Sequence, residues 1–244
     1  MKALLSSRWH SIATVPLSVL LMGTGLLFSA PASAQIAGTA HDFSDDTTWN
    51  ATGEICVVCH APHNTVETLE QGGTGSLGPL WNRTLSAVSN YTVYSSAGRA
   101  GSFLEATTVQ SPDPSGVSKL CLSCHDGTIA IDSFGRDAAG LPNTAGTTLI
   151  DAINPNLNIG EGAGTDGNLS NDHPVAFTFP TTDTEIYTFS GGFVDGPNPG
   201  ILPLFGAGDQ LECATCHDVH GTGNAKLLRV DNAASGLCLS CHDK

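Results

Sequence analysis

The sequence predicts a mostly irregular, coil-rich chain with short helices and one minor β-hairpin, and three observations predict it. Glycine occupies 28 of 244 positions, well above the ordinary share of about 7 %. Charged residues reach only 13 %, about half the usual fraction. Helical periodicity is weak throughout the chain.

Taken in order, residues 1–34 read as an export signal. Lys2 and Arg8 make a positive start, residues 15–28 an apolar run, and Ala32-Ser33-Ala34 a cleavage signal before Gln35. The apolar run is short and interrupted by glycine, which argues against a membrane anchor. The product is therefore expected outside the inner membrane, periplasmic or extracellular, with no membrane span after cleavage. Cleavage removes Met1, Met22 and His10, so no methionine remains. It also removes Lys2 and Arg8 and no acid, so 7 basic residues minus 23 acidic ones gives −16, against −14 for the whole chain. Such an acidic balance excludes nucleic acid, because phosphate binding needs a basic footprint. It favours cationic partners or divalent-ion bridges between subunits.

Beyond the signal, residues 35–210 and 211–244 divide the chain by the spacing of its cysteine motifs. Residues 72–75, G-G-T-G, are a turn, since no lysine follows in the pattern of a phosphate loop. Residues 137–170, rich in Gly, Asn, Thr and Ala, read as loop. Residues 175–179 and 186–189 have strand character and are expected to pair around 180–185. Residues 224–232 are expected to form a short helix.

Eight cysteines on an exported chain would ordinarily read as four disulfides. Their positions say otherwise. Every one lies in a C-x-x-C-H pentapeptide: Cys56/Cys59 before His60, Cys121/Cys124 before His125, Cys213/Cys216 before His217, and Cys238/Cys241 before His242. This is the attachment signature of c-type haem. Two thiols add across the two vinyl groups of one porphyrin, and the following histidine is the proximal ligand of its iron. Zinc ribbons also use C-x-x-C, but they do not explain a histidine after all four pairs. Four covalently bound haems are expected.

Four histidines lie outside the motifs and the signal: His41, His63, His173 and His220. They match four haems one to one and are the distal-ligand candidates, Met/His ligation being excluded by the lack of methionine. Two imidazoles are expected to give low potentials and low-spin iron. His63 follows His60 by three residues, and His220 follows His217 by three. Neighbours so close cannot grip opposite faces of one porphyrin, so each must serve another haem, which forces the haems together. The partners of His41 and His173 stay open.

With 210 mature residues for four haems and 13 mature aromatics, the core is expected to be built from stacked haems, with the short helices near the haem motifs. Burial of porphyrin at about 25 cal/mol per Å² then replaces side-chain burial, and the apo-chain should not fold. Residues 120–126, L-C-L-S-C-H-D, recur at 237–243, an internal repeat. Asp126, Asp218 and Asp243 follow proximal histidines and read as solvated acids; Trp81, Tyr91 and Tyr94 read as ordinary packing.

The segments C-V-V-C-H-A-P-H-N (56–64), L-C-L-S-C-H-D-G (120–127), N-D-H-P-V (171–175) and C-A-T-C-H-D-V-H-G (213–221) resemble the multihaem c-type cytochromes of the doubled C-x-x-C-H type. The resemblance covers about a third of the mature chain and all the haem sites. It implies a multihaem cytochrome c fold and an electron-transfer role. It implies that His63, after C-x-x-C-H-x-P, and His173, in D-H-P-V, are distal ligands; H-D-F-S at 41–44 is also similar to a family segment. Tetrahaem relatives include extracellular cytochromes that polymerise into filaments, one haem taking its distal ligand from the next subunit. By that resemblance His63 is the donated imidazole. The alternatives are a monomeric periplasmic shuttle and a multihaem oxidoreductase with an open haem. Enzymes of the latter kind often carry an altered motif; here no motif departs from C-x-x-C-H and the histidine count leaves no iron open, so no catalytic residue is expected. Partners would be redox cytochromes, extracellular acceptors or further copies of the chain.

Overall fold

Regular structure is scarce among the residues that this computed structural model describes: 35–63, 80–94, 110–136, 143–159, 167–221 and 223–244. The expected export signal and the 72–75 turn lie outside them. Ala34–Lys244 belong to one compact unit. Six two-residue strands pair into three separate ladders. β1 (Thr92–Val93) runs parallel to β2 (Asn168–Leu169). β3 (Phe177–Thr178) is antiparallel to β6 (Gln210–Leu211), and β4 (Phe189–Ser190) to β5 (Phe193–Val194). The helices are α1 (Gly116–His125), α2 (Ile150–Ile153) and α3 (Cys213–Cys216), with a 3-10 turn at Pro155–Leu157 after α2 and three more at Ala225–Leu227, Ala233–Ser235 and Cys238–Ser240 after α3. No helix among the described residues is long and apolar enough to cross a membrane. Few short helices, little sheet and much coil agree with a haem-binding cytochrome.

α1 is the one long element, with Leu120, Leu122, Ser118 and Ser123 buried. It stops where the Asp126 amide donates to the Leu122 carbonyl and the Gly127 amide to that of Cys124, both at 3.1 Å, with Gly127 at φ +73°, a conformation glycine adopts without strain.

The strands at 177–178 and 189–190 do not pair with each other, contrary to the expected hairpin around 180–185. The Ala176 amide donates to the Leu211 carbonyl at 2.7 Å and that of Phe179 to Asp209 at 3.0 Å, so this edge is taken by β6. β4 instead turns directly into β5 through Gly191 and Gly192, both at positive φ (+56° and +80°). That is the geometry a two-residue hairpin loop demands, and a Gly-Gly turn outcompetes a longer connection.

The expected helix at 224–232 reduces to Ala225–Leu227, with Lys226 and Leu227 both at φ +57°. Its carbonyls are drawn to the third motif: Lys226 accepts from the His217 ring at 3.0 Å and Leu227 from the Asp218 amide at 2.7 Å. Parts of 137–170 are ordered into α2, a 3-10 turn and β2; residues 137–142 and 160–166 lie outside the described set.

Side-chain burial is divided. Phe179, Val194, Leu202, Leu204 and Leu211 form one cluster, with Leu237 and Cys241 packed on it. Tyr91, Leu122 and Leu169 form a smaller one around α1. Each cluster backs a cysteine motif. Gly196 carries the closest approach: a Cβ there would overlap the Ser240 carbonyl and lie 2.8 Å from Tyr187. Nearby, the Asn198 amide donates to the Ser240 hydroxyl at 2.7 Å. Gly196→Ala is expected to cost about 1–3 kcal/mol by overpacking and to shift the fourth motif, read as a lower midpoint in denaturant.

Candidate haem-binding site

All four pentapeptides adopt one local form. The second ends the helix α1, the third is the single turn α3, and the fourth begins in a 3-10 turn. The histidine amide closes a turn onto the first cysteine carbonyl at 2.8 Å in His60, 3.0 Å in His217 and 2.9 Å in His242, as the helix does for His125. Helical turns set residues i, i+3 and i+4 on one face, so two thiols and an imidazole converge in each motif.

A remote segment clamps each turn. Segment 80–82 holds the first motif: the Ala61 amide donates to the Leu80 carbonyl and the Asn82 amide to that of Cys59, both at 2.9 Å. The Ile159 amide reaches the His125 carbonyl at 2.9 Å, that of Arg229 reaches Cys216 at 2.8 Å, and that of Tyr187 reaches Cys241 at 2.9 Å. The loop expected at 137–170 thus supplies the second clamp.

The spare histidines come up to the motif histidines from elsewhere in the chain. His220 lies opposite His60, ring centroids 6.2 Å apart and planes 21° from parallel. His41 lies opposite His125 at 6.0 Å and 79°, and His173 opposite His242 at 6.4 Å and 71°. An ion held between two imidazole nitrogens at about 2.0–2.1 Å each places the ring centres about 6 Å apart, so the three pairs fit an iron between them. Neither His63 nor His217 has such a counterpart among the described residues, and both are exposed.

Ring orientation supports ligation too. His125 Nδ1 donates to the Leu157 carbonyl at 2.8 Å, His217 Nδ1 to Lys226 at 3.0 Å and His173 Nδ1 to Pro174 at 2.8 Å. A carbonyl only accepts, so the proton sits on Nδ1 and Nε2 keeps its lone pair for metal. Burial, then His125 and His217, pushes His41 down to about 4. Burial also lowers His125 and His242. These imidazoles are neutral, the form that ligates.

Cysteines of successive motifs adjoin. Burial and then the Cys124 thiol push Cys59 up to about 11. Cys121 and Cys213 hydrogen-bond each other. Burial and then Cys241 push Cys216 up to about 12. The cysteine pairs therefore adjoin in the order first, second, third, fourth.

Three charged residues near these junctions, Asp126, Arg83 and Glu212, are buried, which the sequence did not mark. Asp126 is no solvated acid: it is 1 % exposed and accepts from the Tyr91 hydroxyl at 2.6 Å, the Thr128 amide at 2.9 Å and the Ser86 hydroxyl. Burial and this bond push the Tyr91 phenol up. Asp218 is half-buried beside Arg229, and Asp243 accepts from Tyr187. Arg83 and Glu212, 2 % and 1 % exposed, carry no motif; only their position against the cysteines marks them. Trp81 stands edge-on to His60 at 6.3 Å, with its buried Nε1 lacking an acceptor.

Residues 206–244 match the family model for the doubled CXXCH motif. The match supports a multihaem c-type cytochrome. Doubled CXXCH motifs imply covalently bound haem c, and proteins that carry them are generally electron-transfer proteins, exported from the cytoplasm. No curated protein matches the chain. The doubled motif takes in the third and fourth pentapeptides, His217 and His220, so the two most closely spaced cysteine pairs fall inside it.

Proposed function

We propose that this chain is a tetrahaem cytochrome that carries electrons outside the inner membrane and assembles head to tail. Haem c, once bound, supplies a one-electron iron couple at each motif. Cys56/Cys59, Cys121/Cys124, Cys213/Cys216 and Cys238/Cys241 hold the porphyrins, and the chain orients their irons through His60–His220, His125–His41 and His242–His173. One observation carries the assembly: three motif histidines face a spare histidine, while exposed His217 and exposed His63 are left over. In this reading His63 of one copy completes the His217 site of the next. Such a contact repeats without closing and gives a filament. The junction order 1–2–3–4 supports a continuous path for electrons, and no iron is left open for a substrate.

The test is intact mass and negative-stain microscopy of the exported protein. Four added haems and long thin fibres are expected; dispersed particles would favour the monomeric shuttle. The ferric protein also has an electron paramagnetic resonance signature. Near-parallel imidazole planes give a rhombic low-spin signal, and near-perpendicular planes a strongly anisotropic one. The angles of 21°, 79° and 71° predict a rhombic signal from the first haem and strongly anisotropic ones from the second and fourth. Four alike would contradict the pairing.

A further inference from the structure

We infer that two buried charges of opposite sign grade the haems. Arg83, between the first and second motifs, holds the potential of haem 1 up; Glu212, between the second and third, holds that of haem 3 down. The inference rests on the tetrahaem reading above and adds to it an unequal wire whose first haem is reduced before its third.

Arg83 is fixed by bonds from its guanidinium to the Ile131 and Ala130 carbonyls, both 2.7 Å. Neutral carbonyls leave its charge uncancelled, and its buried Nε finds no oxygen acceptor. The cation lies against Cys124, with which it hydrogen-bonds, and near Cys59. These are the sulfurs through which haems 1 and 2 attach.

Glu212 sits at the next junction. Its carboxylate accepts from the Ser118 amide at 3.1 Å and from the Ser118 hydroxyl, which itself accepts from the Cys213 amide at 3.0 Å. α1 and α3 are thereby locked together. Gly116 makes room, since a Cβ there would lie 2.5 Å from Glu212 Oε1. The carboxylate lies close to both Cys121 and Cys213, the proposed attachment points of haems 2 and 3. Burial raises the Glu212 carboxyl and the Ser118 bonds oppose the rise.

At the third junction Arg229 is paired with Asp218 at 3.3 Å, so little net charge remains. Haem 2 feels both Arg83 and Glu212, and buried Asp126 besides. A ferric haem carries one more positive charge than a ferrous one. A cation nearby therefore favours reduction and an anion opposes it, and burial leaves either effect little screened.

The experiment is a redox titration of the full exported holoprotein, followed by paramagnetic resonance, with haem 1 read from its rhombic signal. Intact mass of wild type and variants comes first. Fewer than four haems on wild type defeats the tetrahaem reading, and this inference with it. On stepwise reduction of wild type, the haem 1 signal should vanish before the others. Arg83→Gln should lower the haem 1 midpoint and Arg83→Lys should keep it. Glu212→Gln should leave haem 1 in place and raise two other midpoints. An unmoved haem 1 in a four-haem Arg83→Gln protein, or a uniform shift of all four in Glu212→Gln, overturns the inference. If Arg83→Gln fails to load four haems, Glu212→Gln alone decides it.

Discussion

Replacing all eight cysteines by alanine should leave a chain without native structure, even though every change is small and the backbone keeps its other contacts. Among the described residues the buried apolar side chains gather into clusters of only five and three, and the sheets are two-residue pairs. Ordering each residue costs about 1–2 kcal/mol in backbone entropy, and clusters of that size cannot offset it for a unit running from Ala34 to Lys244. In the proposed reading the missing term is burial of porphyrin faces between the motifs, as metal binding supplies it in small metal domains. Far- and near-ultraviolet circular dichroism of the variant should show coil with no fixed aromatic environment. Native dichroism from that variant would refute a core built on haems.

The second large effect belongs to His63. His63→Ala should abolish fibres and leave one haem in four with a vacant position at its iron. Carbon monoxide added to the reduced variant should then bind about a quarter of the haem, while wild-type fibres bind almost none. His41→Ala provides the comparison, because it should open a haem within the subunit and leave fibres intact. The contrast separates an imidazole acting between copies from one acting within a copy. Fibres that persist in His63→Ala would exclude the donated ligand.

Much of this chemistry is local and could be read directly. A C-x-x-C-H pentapeptide brings its thiols and imidazole together within one turn, whatever surrounds it, so Cys56 to His60 and its three counterparts declare themselves. The absence of methionine after residue 34 and the four spare histidines are likewise a matter of counting and need no geometry. Scarce helix and abundant coil follow from composition, and so does their agreement with the structure.

Other readings failed for want of long-range information. Residues 175–179 looked ready to pair with 186–189, yet β6, more than thirty residues away, took their edge. Residues 224–232 looked helical until their carbonyls were claimed by His217 and Asp218. Asp126 resembled Asp218 and Asp243 in every sequence feature, and only Tyr91, Ser86 and Thr128 closing over it set it apart.

By itself, then, the amino-acid order set out the four C-x-x-C-H pentapeptides and the pool of spare imidazoles, because each depends on residues within five positions or on a simple count. Tertiary structure alone decided that His220 meets His60, that His41 meets His125 and His173 meets His242, and that Arg83 and Glu212 lie buried at successive junctions. Those relations join residues tens to more than a hundred positions apart, and such separations are closed only by the packing of the whole unit.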